Sequence, residues 1–330
     1  MVPGKSPAPL QPHAEVEHKF DHLEAISFMA GHATTLPERP TWLPQPVFPF
    51  HSRFVEIEAK QVHYIDEGAG PALLFVSAGQ WSFMFRDVIL RLRHQFRCLT
   101  LDFPGSGLSP DAEDHDQSVR ANAWVLDGFI EALDLQDITM VVHDAGGPIG
   151  FLIATMRPER FRALVISNTF GWPLREYPSV RRMLKVIGNP LISALNTNTN
   201  GLARLTATSW GVGRHLSKAD RRAFLGPWRS QPVRRATQQV LAELIRIDPL
   251  MSELELELET KLADIPVLTL FGCKNDPLGW QQRFGLIFRN VTAVRIEGGH
   301  HFPFNDDPDR YAAAIGDWWA KKVAEAHRQF

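Results

Sequence analysis

The chain has 330 residues, 44% of them hydrophobic and 22% charged, with 35 basic against 37 acidic side chains and a formal charge of -2. That balance gives the chain as a whole no electrostatic footprint for nucleic acid or an anionic membrane, while leaving local patches open. Two cysteines are too few for a disulfide framework, and no segment reaches the roughly 18 uninterrupted apolar residues of a membrane-spanning helix.

The amino end, MVPGKSPAPLQPH, lacks the apolar core of a signal peptide, and nine prolines fall within the first 50 residues. Residues 1–50 are therefore expected to form an extended, proline-rich extension, with only residues 15–30 patterned as a helix, on a cytoplasmic protein. From residue 51 the chain alternates. Strand-like segments read FVEIEA, VHYIDE, ALLFVS, FRCLTLDF, ITMVVH, ALVISNT, VLTLFG and AVRIEG, with amphipathic helical stretches between them, notably residues 118–133 and 308–327. This pattern predicts an α/β fold with a mostly parallel central sheet covered on both faces. Cys98 and Cys273 lie in strand-like runs and read as buried thiols. Residues 171–235 break the rhythm with helical patterns, prolines and glycines but no strand. They read as a helical cap inserted between two parts of the core, 51–170 and 236–330, and closing over the carboxyl ends of the strands.

Three titratable residues sit just beyond predicted strands: Asp144 in VVHDAGGPIG, Asp276 in LFGCKNDP and His301 in RIEGGHHFP. Their chain order, nucleophile, acid, histidine, is that of α/β-hydrolases, where the nucleophile occupies a strained turn from strand to helix. A carboxylate is ionised at neutral pH and can displace a leaving group from saturated carbon, leaving an ester that water then opens. The backbone N–H of Ala145 is a natural oxyanion donor. The second donor is expected from the loop after ALLFV, which contains Gly79 and Gln80.

The segments TWLPQPVFPFHSRFVEIEAKQVHYIDEGAGPALLFV, WSFMFRDVI, DFPGSGLS, VVHDAGGPIG, NTFGWPL and HHFPFNDDPD occur in family order, and over about residues 40–320 the chain resembles the haloalkane dehalogenase branch of the α/β-hydrolases. The resemblance implies Asp144 as nucleophile, His301 as general base and Asp276 as its orienting acid, with no cofactor and no metal. His301 is favoured over His300 because an aromatic and the acidic run NDDPD follow it. The sequence departs from the pattern twice. Ala145 stands where these enzymes carry a halide-holding tryptophan, and SAGQ (77–80) replaces their His-Gly-Asn-Pro or His-Gly-Glu-Pro loop. Trp81, Phe170, Trp172, Tyr177, Trp210, Leu278 and Phe302 are the remaining candidates for substrate contact. The expected partners are a small apolar substrate and water, with no nucleic acid and no membrane; a homodimer is left open.

Three readings compete with a dehalogenase-like hydrolase. Epoxide hydrolases use the same attack but protonate the ring oxygen with tyrosines, and only Tyr177 lies in the expected cap. An ester or lactone hydrolase would use Asp144 as a base toward water. Outside enzymes, a binding protein on a retired hydrolase fold would have no need to keep an acid, a base and an elbow together. The acidic run SELELELET (252–260) reads as a solvated helix or linker.

Overall fold

The computed structural model describes residues 38–110, 114–209, 211–276 and 278–323. The helix expected at 15–30 and the candidate Trp210 lie outside these. Eight strands form one sheet: β1 (Arg53–Ile57), β2 (Lys60–Glu67), β3 (Ala72–Ser77), β4 (Arg97–Leu101), β5 (Ile138–His143), β6 (Phe161–Ser167), β7 (Val267–Gly272) and β8 (Val291–Ile296). Their order is β1-β2-β4-β3-β5-β6-β7-β8, and only the β1–β2 and β2–β4 pairings are antiparallel. These correspond one for one to the strand-like segments of the sequence.

Central strands are buried along their whole length, as a sheet covered on both faces requires, so β5 (ITMVVH) and β7 (VLTLFG) are apolar without alternation. Their side chains still divide by parity. Leu74, Val76, Met140, Val142, Leu164 and Ile166 enter one core cluster, whereas Leu73, Phe75, Val141, Ala163 and Val165 enter the other. The first layer is completed by α2 (Val119–Ala132) and α3 (Gly146–Met156); the second contains α1 (Arg86–Leu92).

Between β6 and β7 the chain is helical throughout: α4 (Pro178–Ile187), α5 (Pro190–Thr199), α6 (Gly201–Thr206), α7 (Lys218–Phe224), α8 (Gln231–Glu243) and α9 (Asp248–Lys261). Helix α8 packs on α4 and α5, so the boundary expected for the insertion at 235 falls inside one helix. Helix α9 instead packs on α3 in the core, burying Met251, Leu254 and Leu258. The SELELELET run is therefore a helix with one face in the core. After β7 come α10 (Trp280–Ile287), α11 (Pro303–Asp306) and α12 (Pro308–Trp318); a π-helical turn over Trp319–Val323 follows.

Two sequence expectations change here. Residues before 51 are not all a loose extension: Leu43, Phe48 and Phe50 are fully buried in the second core cluster, and the Arg39 guanidinium donates to the Phe48 and Phe50 carbonyls at 2.8 and 2.6 Å. Apolar burial outweighs the disorder that the prolines suggest. Cys98 is buried as expected, but Cys273 is only partly buried, with its thiol 3.6 Å from Glu297.

Candidate active site

Strand β5 ends at His143 and α3 begins at Gly146, leaving Asp144 and Ala145 as the turn. Asp144 has a φ of 49°, in the left-handed region that costs a non-glycine residue energy and recurs at functional turns. The two glycines that follow are required by close approach: a Cβ on Gly146 would strike the Val76 backbone, and one on Gly147 would strike the Thr169 side chain. The turn is latched from β6, because the Thr169 hydroxyl and the Gly147 N–H both donate to the Asp144 carbonyl, at 2.5 and 3.0 Å.

Asp144 Oδ2 lies 3.4 Å from His301 Nε2, with side-chain exposures of 28% and 32%, so both groups are reachable from the adjoining space. Burial pushes the Asp144 carboxyl upward. The hydrogen bond and charge of His301, the nearby His143 and the Ala145 N–H outweigh it and hold the group below the usual carboxylate range. His143 is fully buried and its Nδ1 meets the Ser167 carbonyl at 3.0 Å. Burial first, then the neighbouring His301, pushes it down to about 3, so its ring is neutral. His143, Asp144 and His301 each bring a ligand atom to within 4.8 Å of the other two, the one set among the described residues able to hold a metal ion. Two of the three are already engaged with each other.

The expected orienting acid is not at His301. Both Asp276 oxygens accept backbone N–H groups of α10, from Trp280 at 2.7 Å and Gln281 at 3.1 Å, and so cap that helix. The group facing His301 Nδ1 is the Asn275 carboxamide, at 3.2 Å. With its NH2 toward the ring, Asn275 donates to Nδ1 and His301 carries its proton on Nε2, toward Asp144. With its oxygen toward the ring, it accepts Nδ1–H and leaves Nε2 free to take a proton; the two carboxamide orientations are nearly isosteric. Asn275 is held in turn by Asn168 (φ 37°) at the end of β6, which donates to the Asn275 carbonyl at 3.3 Å and accepts the Gly272 N–H at 3.1 Å.

A cavity of about 330 Å³ opens above this pair, walled by Ala78, Gly79, Gln80, Asp144, His301 and Phe302 from the core and by Met183, Ile187, Leu202, Leu205, Thr206, Gly211, Thr237 and Leu241 from the insertion. Gly79, Gln80 and Phe302 of the sequence candidates thus line it. The Gln80 carbonyl is buried without a partner, so its carboxamide is a polar group available to the cavity. Ala145 is 2% exposed beside Asp144 and offers its backbone only.

Five other candidates lie elsewhere. The Trp81 indole N–H donates to the Phe224 carbonyl at 3.0 Å, tying core to insertion. Phe170 packs on Trp280, and Trp172 is fully buried under the Arg283 guanidinium, 4.5 Å from its ring centre. Tyr177 accepts from Arg283 at 2.9 Å, and Leu278 is an exposed surface residue. Aromatic character marked the first four of these positions, but packing absorbed it. The apolar wall from α4, α6 and α8 was missed because helical periodicity shows which residues are apolar without showing which face meets the ligand.

The sequence matches the alpha/beta hydrolase family over residues 62–314. It is 29% identical over 277 residues to haloalkane dehalogenase 2 of Mycobacterium tuberculosis, covering 82% of this chain and 96% of that one. It is 30% identical over 240 residues to the cis-3-alkyl-4-alkyloxetan-2-one decarboxylase of Shewanella oneidensis, covering 69% of this chain and 75% of the other. A haloalkane dehalogenase loop variant, DbeA-M1 of Bradyrhizobium elkanii, shares the fold with a TM-score of 0.74 at 19% identity, over 85% of this chain and all of that one. An elbow bearing a carboxylate, a histidine above it and this kinship together make the chain a haloalkane dehalogenase-like enzyme of the α/β-hydrolase family.

Proposed function

We propose that the chain acts on a small or medium apolar substrate through an ester formed on Asp144, with the helical insertion as its cap. The 3.4 Å approach of Asp144 to His301 at the base of an apolar cavity carries this reading. In the first step an Asp144 oxygen bonds to a saturated carbon and the leaving group departs with its electron pair. In the second, water adds to the ester carbonyl and gives its proton to His301 Nε2, while the Ala145 N–H and a donor from the Gly79–Gln80 loop hold the oxyanion. On collapse the remaining hydroxyl proton passes to the departing alkoxide, which frees the alcohol and restores the carboxylate, and His301 releases its proton to solvent. General-base assistance of this kind is worth about 100- to 10,000-fold, and one oxyanion donor roughly 3 to 4 kcal/mol.

The leaving group narrows the substrate. Among the described residues no tryptophan or tyrosine lines the cavity, so none of these offers an indole donor to a free halide or a phenol to an epoxide oxygen. A strained cyclic ester such as an oxetan-2-one is the second reading, favoured by that absence and by the name of the Shewanella relative. Opening such a ring at its C–O carbon releases a carboxylate that is itself a stable anion and stays attached, so the site need not stabilise a separate ion.

Intact mass spectrometry of the His301→Ala protein after exposure to haloalkanes, epoxides and oxetan-2-ones tests both readings. The reactive class leaves an adduct on Asp144, and Asp144→Ala abolishes adduct and turnover. Turnover that survives Asp144→Ala removes the aspartyl ester from consideration.

A further inference from the structure

The insertion carries a surface that the chemistry of the site does not use. Of the eleven large apolar side chains exposed among the described residues, six fall between 183 and 205: Met183, Val186, Leu191, Ile192, Leu195 and Leu205. They occupy three consecutive helices, α4 to α6, and Leu191 is 81% exposed. Singly exposed leucines are ordinary, but six exposed apolar side chains on three consecutive helices that pack on one another point to an interaction surface.

Charge on the same helices is one-sided. Residues 178–206 contain four basic side chains, Arg181, Arg182, Lys185 and Arg204, and no aspartate or glutamate, in a chain whose formal charge is -2. Arg181 approaches Asp248 at 3.5 Å, whereas Arg182, Lys185 and Arg204 are exposed. Exposed leucines flanked by lysine and arginine on short helices suit the boundary between lipid headgroups and acyl chains. The patch also reaches the cavity, since Met183 and Leu205 are more than half exposed and at the same time wall the space over Asp144.

We propose that α4, α5 and α6 dock on an anionic lipid bilayer, with the mouth of the cavity turned toward the headgroups. A second copy of the chain fits the patch less well, because a two-fold contact would set this cationic face against its own image. None of the described helices is long and apolar enough to cross a membrane, so the contact is confined to the surface.

Co-sedimentation of the full-length protein with vesicles tests this without reference to turnover, so it stands or falls separately from the aspartyl ester. Vesicles of equal parts phosphatidylglycerol and phosphatidylcholine are expected to retain the protein at low salt and to lose it as salt rises; phosphatidylcholine alone retains little. Arg182→Gln with Lys185→Gln lowers the partition coefficient by about 30-fold. Leu191→Ser with Leu195→Ser lowers it by about tenfold or more. All four positions are exposed and outside the cavity wall, so the thermal midpoint of each variant should stay that of the parent. No sedimentation with anionic vesicles at low salt, or sedimentation that neither pair alters, overturns the proposal. Concentration-dependent dimerisation abolished by Leu191→Ser would assign the face to a second copy instead.

Discussion

Asp144 combines an unfavourable backbone angle with a carboxyl kept ionised by its neighbours, and the second property can be tested directly. His301 supplies the hydrogen bond and charge that lower this carboxyl, while burial, which raises it, does not depend on His301. In His301→Ala the raising influence therefore survives and the chief lowering one is lost. The acid limb of adduct formation, followed in single-turnover experiments, is expected to move to higher pH than in the parent; an unmoved limb would mean that His301 does not govern the nucleophile's charge. His143 gives a prediction for stability. Its folded value is depressed to about 3, so between that value and the unfolded value near 6.5 the unfolded chain binds the extra proton and stability falls as pH is lowered. Exchanging His143 for Asn should remove that share of acid sensitivity, seen as a smaller difference between urea midpoints at pH 7 and pH 5. Equal differences in parent and variant would count against a neutral buried ring.

At the scale of elements, the loop after β7 carries the sharpest prediction. If Asp276 serves α10 and Asn275 serves His301, Asp276→Ala costs about 1 kcal/mol of stability, as loss of a cap does, and lowers kcat by less than about tenfold. A drop near 10,000-fold, typical when the acid behind a catalytic histidine is disabled, would return Asp276 to that role. Asn275→Asp places a carboxylate at Nδ1, fixes the tautomer with Nε2 free, and is expected to speed ester hydrolysis relative to ester formation; accumulation of the adduct in this variant would contradict it. The sequence showed the strand ends clearly, because eight apolar runs bounded by turns match eight strands, and it located Asp144 and His301 at two of them. It did not show which of the neighbours Asn275 and Asp276 turns toward His301. One residue of rotation along a loop decides that, and the rotation is set by Asn168 at β6 and by the open N–H groups of α10, over 100 residues away in one case and four in the other.

For the molecule as a whole, the alternation of strands and helices announced an α/β fold with a mostly parallel sheet, since each element's periodicity is local and the connection rules for parallel strands leave few arrangements. The walls of the cavity were not legible, because they depend on how α4, α6 and α8 lean over the strand ends. Four aromatic candidates, Trp81, Phe170, Trp172 and Tyr177, went astray because packing is not legible in sequence: Trp172 looks like a ligand contact in a string of letters and sits beneath Arg283 in three dimensions. The insertion also supports a prediction at this scale. Trp81 joins core to insertion through the Phe224 carbonyl, so Trp81→Phe, which keeps the ring stacking and loses one buried hydrogen bond, should lower stability by about 1 to 3 kcal/mol, measured by denaturant titration. A change within a few tenths of that of the parent would show the tether to be dispensable.

Asn168 and Thr169, which grip Asn275 and the Asp144 carbonyl, both precede the first insertion helix in the chain. Among the described residues the insertion downstream meets the segment that bears His301 where Arg214 lies against the Gly298 carbonyl and Asp306. A lineage that needs a new substrate can rewrite the roof on either side of that contact, and a protein engineer who keeps Arg214 can reshape α4, α6 and α8 above an unchanged floor.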